Sequence, residues 1–96
     1  VVVLGADFRG GAYVLKAGKS YQVRVLTSGR PKLVQPVRAG QDLDGPARAM
    51  RRAGAAGGLG EYVGSVRIER GARAGSRWVF GVVVGGRTDE VKVRVG

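Results

Sequence analysis

The chain contains no cysteine and no histidine. Without cysteine there is no disulfide and no thiol nucleophile, and without either residue the usual zinc donor sets are gone. The missing imidazole also removes any catalytic triad or dyad that depends on it. Acids are scarce: 7 Asp and Glu stand against 17 Lys and Arg, a net charge of +10. Aromatics make up 6% and methionine occurs once. No apolar run approaches the roughly 20 residues that a helical membrane span needs. The chain opens on Val1 and not on Met, which reads as a processed or internal start; VVVL is too short for a signal-peptide core and reads as a first strand. Lack of cysteine leaves the compartment open, and an extracellular, cell-surface or virion location is favoured.

What is present is glycine, valine and arginine. A chain of 96 residues with 18 glycines makes one domain, residues 1–96, with a single modest core. The clearest pattern is Ser76 to Val95, SRWVFGVVVGGRTDEVKVRV. Trp78, Phe80, Val82 and Val84 share one face. After a turn over Gly85 to Asp89, Val91, Val93 and Val95 alternate with Glu90, Lys92 and Arg94. Alternation with period two around a Gly/Asp turn predicts a β-hairpin.

Further strands are predicted at Val1–Leu4, Ala12–Lys16, Ser20–Leu26, Lys32–Arg38 and Glu61–Arg70, with Gly5–Gly11 a turn-rich connection. Pro36 cannot donate to a ladder, so its strand is expected at an edge or bulged. Residues 39–60 differ in kind, with six glycines and almost no β-branched residue. Pro46–Ala53 is predicted to form a short helix, capped by Asp44 or Gly45 and ended by Gly54. Arg48, Arg51 and Arg52 would then share its outer face, and residues 54–60 would be a flexible connection. The fold class expected is all-β: an immunoglobulin-like β-sandwich of about seven short antiparallel strands with one short helical insert.

The immunoglobulin part of that expectation comes from a resemblance. GEYVGSVRI (Gly60 to Ile68), a short loop, RWVFGVVV (Arg77 to Val84) and a closing valine strand resemble the second half of many bacterial immunoglobulin-like domains. Their pattern is a Gly-x-Tyr strand, a Gly-x-Trp strand and a closing hairpin. Here Ser76 and Arg77 separate Gly75 from Trp78, one residue more than the pattern has. The resemblance covers the last third of the chain and implies architecture alone. Some such families handle copper through Met and His, but with Met50 alone and no His that activity is not implied.

Chemistry-bearing motifs are few, and no cofactor is expected. Asp42-Leu43-Asp44 is two carboxylates of a calcium loop that lacks its other oxygen ligands, and reads better as a helix-capping turn. Gly57-Gly58-Leu59-Gly60 precedes a strand and not a helix, which argues against a phosphate loop. Glu61, Glu69, Asp89 and Glu90 lie at strand or turn positions without the apolar setting that a catalytic acid needs. Neither catalysis nor a metal site is expected.

The arginines form the one constellation. One group is Arg48, Arg51 and Arg52; the other is Arg67, Arg70, Arg73 and Arg77, spread across a turn where the side chains would converge at one end of a sheet. A basic surface suits a nucleic acid or another polyanion, although the same Arg, Gly, Ala and Val excess follows from a GC-rich genome. Two readings stand together. The first is a structural or interaction module docking into protein subunits of a larger assembly (a surface layer, an appendage or a viral particle), with homo-oligomerisation by exchange of the Val1–Leu4 strand as one route. The second is a polyanion-binding protein acting by charge.

Overall fold

A computed structural model describes all 96 residues. The chain makes ten strands and no helix. In order they are β1 (Val2–Val3), β2 (Asp7–Arg9), β3 (Ala12–Leu15), β4 (Ser20–Thr27), β5 (Lys32–Arg38), β6 (Arg48–Ala49), β7 (Arg51–Ala56), β8 (Leu59–Arg67), β9 (Arg77–Val84) and β10 (Arg87–Val95). A four-stranded sheet has the order β1-β4-β8-β7, and a six-stranded sheet the order β2-β3-β10-β9-β5-β6.

The alternating residues of each sheet meet in one apolar cluster. Tyr21, Val23 and Val25 of β4, with Val66 of β8 and Ile68 just beyond it, face Leu33 of β5, Trp78, Phe80 and Val82 of β9, and Val93 and Val95 of β10. Phe80, Leu15, Val23 and Val66 are fully buried, and no buried side-chain polar atom lacks a partner. The hairpin at the C-terminal end is as the alternation predicts, but its turn is tighter. Gly85 and Gly86 alone make it, and β10 begins at Arg87, because two successive left-handed glycines (φ 57° and 79°) close a two-residue hairpin. Gly5–Gly11 is not a plain connection: β2 folds back on β3, with the Phe8 ring 5.0 Å from that of Tyr13.

The expected helix over residues 46–53 does not form. Its residues supply β6, which pairs with Leu33 and Lys32 on β5, and the start of β7, which pairs with Val63 and Tyr62 on β8. A two-turn helix has few hydrogen bonds to set against its nucleation cost, whereas each half of this segment lies beside an open strand edge. Between the halves, Met50 donates its N–H to the Pro31 carbonyl at 3.0 Å and buries its side chain, only 7% exposed. Met50 is thus the point where the chain passes from one sheet to the other. Residues 54–60 are ordered as well: Gly57 and Gly58 (φ 56° and 81°) turn β7 into β8, with Ala56 opposite Leu59.

Two more departures matter. The strands are not all antiparallel, since β3 runs parallel to β10, with Tyr13 opposite Val93 and Leu15 opposite Val95. Pro36 lies in a bulge between Val34 and Val37, where β5 slips in register against β9. The strand itself is internal, flanked by β9 and β6, but β6 covers only Lys32 and Leu33, so Pro36 faces no ladder partner on that side.

Candidate functional site

Charge placement follows from topology. β3, β5, β8 and β10 finish at one end of the molecule, and β4 and β9 start there. The turns that join them are tied together by backbone hydrogen bonds. Gly18 N–H donates to the Ile68 carbonyl at 2.8 Å, Ala39 N–H to Arg77 at 3.0 Å, Gly75 N–H to Val95 at 2.7 Å and Gly96 N–H to Leu15 at 2.9 Å. Residues distant in sequence therefore share this end: Lys16, Lys19, Arg38, Arg67, Arg70, Arg73, Arg77 and Arg94. All are exposed except Arg94, which is half-buried. Glu69 is the one acid within residues 67–77.

The loop carrying Arg70 and Arg73 is held in shape. Trp78 Nε1 donates to Ser76 Oγ at 2.9 Å, and Ser76 Oγ donates to the Arg73 carbonyl at 2.6 Å. A side chain at Gly18 would meet Cβ and Cγ of Arg70 at 3.4 Å, so the glycine gives the arginine stem its seat. Arg77 and Arg94 are direct cross-strand partners on β9 and β10. Like charges placed opposite each other repel and weaken a sheet, so this pair is a standing cost at an end that is already crowded with cations. The molecule has two ion pairs, Arg9 with Asp7 and Arg24 with Glu61; neither uses one of these eight cations, although Asp7 lies opposite Val14, on the same rung as Arg94 and Arg77.

Beside the end, on the outer face of the six-stranded sheet, lies a groove of about 410 Å³. Arg77, Lys92 and Arg94 line it together with Glu90, and the turns at Gly10-Gly11 and Ala39-Gly40 form its walls. Trp78 and Val79 of β9 also border it, and the Arg38 guanidinium sits 5.8 Å from the centre of the Trp78 ring.

No family model, curated protein or solved structure matches this chain.

The two predicted arginine groups fare differently. Arg67, Arg70, Arg73 and Arg77 are brought together. Arg48, Arg51 and Arg52 are not, because the helix that would have aligned them is absent: Arg48 lies on β6 in the six-stranded sheet, while Arg51 and Arg52 lie on β7 in the other. Arg51 stands opposite Val63, with Arg24 on the far side of the same valine. Val63 points away from the core yet is only 6% exposed, between these two arginines on the neighbouring strands. Lys16, Lys19, Arg38 and Arg94 belong to the basic end and were not singled out in the sequence. None has a basic residue next to it in the chain, and only strand order makes them neighbours.

Asp42 and Asp44 are exposed and cap no helix. Leu43 between them is the anchor: a side chain at Gly81 would meet its Cδ1 at 3.1 Å, so Leu43 holds the 39–47 loop against the outer face of β9.

Proposed function

We propose that this chain is a non-catalytic interaction module, an immunoglobulin-like β-sandwich that docks into a larger assembly through a sheet edge. Strand order supports the architectural part. β1, β4, β8 and β7 follow the A-B-E-D order of an immunoglobulin sheet, and β5, β9 and β10 the C-F-G order of the sheet facing it.

The observation that carries the docking part is β7. All six of its residues, Arg51 to Ala56, are exposed, and it is the last strand of its sheet. Ala53-Gly54-Ala55-Ala56 places no bulky, charged or proline side chain along its part of the free edge; the guards are Arg51 and Arg52 at the start of the strand and the bulge between Arg52 and Gly54. An edge left open in this way is a template for a strand from a partner. A surface layer, an appendage or a viral particle built from repeated subunits is the kind of assembly that uses such an edge.

The register provides the test. Ala56 and Leu59 flank the two-residue turn and exchange hydrogen bonds, so Ala55, one residue back, directs its N–H outward. Ala55→Pro removes that donor without touching the β7–β8 ladder. The expected outcome is an assembly, recovered under native conditions or formed at high concentration, that the Ala55→Pro chain cannot join while its melting temperature is unchanged. A chain that stays monomeric at every concentration and has no partner in its native source overturns the reading, as does an assembly indifferent to the proline.

A further inference from the structure

The basic end has its own chemistry, independent of β7. We infer that it binds the phosphodiester backbone of duplex nucleic acid, by charge and without reading bases.

Three observations carry this. The first is density. Eight cations share one end of a molecule measuring 39 × 26 × 21 Å. A duplex laid across about 26 Å presents about 15 phosphates at one charge per ~1.7 Å, a linear charge that an acidic protein surface seldom reaches. The second is that these cations have no ion-pair partners of their own, and that Arg77 and Arg94 are set directly against each other. An anion between two guanidiniums turns that repulsion into two charge-assisted contacts, and the planar fork of arginine suits phosphate oxygens. The third is what the end lacks. Single-strand binders stack bases on exposed aromatics. Here Trp78 is buried with its N–H engaged by Ser76, and Tyr21 is buried beneath Lys19, whose Nζ lies 5.2 Å from the ring centre; the one strongly exposed ring, Phe8 on the edge strand β2, is packed edge-to-face with Tyr13 and lines a hollow with Asp89 and Glu90, away from the arginines of this end. Without a stacking platform or a helix to enter a groove, the ligand is a backbone held in its own helical form.

Fluorescence anisotropy with a labelled 16-base-pair DNA duplex and its RNA counterpart, between 50 and 200 mM salt, tests the inference. With about six phosphates contacted, affinity falls about 10³-fold across that range. Replacing Arg70, Arg73 and Arg77 together with Gln lowers the salt slope by about 3, whereas Lys at the same positions keeps it. Replacing Arg30, Arg48 and Arg87 with Gln removes the same charge at the opposite end and leaves the slope unchanged. Binding of either duplex in this pattern supports the inference and tells which nucleic acid supplies the backbone. Equal losses in the two Gln variants, a slope shallower than 2, or tighter competition per charge by heparin or polyglutamate than by unlabelled duplex overturns it. Ala55→Pro leaves the slope as it is, so this result and that of the edge-docking test fail separately.

Discussion

Gln35 does more than its position in the β5 bulge suggests. Its Nε2 donates to the Ser65 carbonyl at 2.7 Å, and its Oε1 accepts from Arg67 N–H at 3.2 Å. β7 pairs β8 only as far as Val63, so residues 64–67 of β8 would otherwise present a bare edge. One amide side chain stands in for the missing strand and links the two sheets beside the basic end. Gln35→Ala should lower stability by about 1 kcal/mol, the ordinary net worth of exposed hydrogen bonds, read as a shift in the denaturant midpoint. It should also speed amide exchange at Arg67, and an unchanged exchange rate there would show that the clamp is not made in solution. Nothing in KLVQPVR marks Gln35 for this task, since the sequence shows the proline but not which strand lies across from it.

At the scale of elements, the switch segment from Arg48 to Ala56 decides the architecture of the middle of the chain. The helix expectation rests on local propensity: Pro early, Ala and Arg in the interior, Gly at the end. What wins is pairing, because β5 and β8 each offer an unfilled edge and Met50 fills a gap between the sheets. The tight β7–β8 turn is part of that outcome. Gly57 and Gly58 both hold positive φ, which side chains other than Asn and Asp adopt at a cost of about 1 kcal/mol or more. Gly57→Val with Gly58→Val should therefore destabilise by at least 2 kcal/mol, while Gly57→Asn with Gly58 kept should be close to neutral. Thermal melts of the two variants check this; equal behaviour would mean that residues 54–60 are the loose connection which their composition suggests.

For the whole molecule, charge has a consequence beyond any ligand. Net +10 is distributed unevenly: the basic end gathers eight cations against Asp7 and Glu69. At 0.01 M salt the Debye length is about 30 Å, close to the dimensions of the fold, so the cations of that end repel one another unscreened. Raising salt to 0.15 M should raise the melting temperature, and the Arg70, Arg73 and Arg77 to Gln variant should gain less from it. A melting temperature that falls with added chloride salt would sink this account.

The sequence by itself determined the strand periodicity, the turn glycines and the absence of thiol and imidazole chemistry. Alternation is local, and a valine strand buries one face whatever it pairs with; Trp78, Phe80 and Val93 could be placed in the core without knowing their neighbours. It also marked the arginines from Arg67 to Arg77 as a group, because one turn joins them. Tertiary structure alone decided the parallel pairing of β3 with β10, the passage from sheet to sheet at Met50, the recruitment of Lys16, Lys19, Arg38 and Arg94 to the basic end, and the parting of Arg48 from Arg51. Each of these depends on which strand edge meets which, a contest among non-local pairings in which backbone hydrogen bonds and buried area outweigh the fraction of a kcal/mol that local propensity contributes per residue.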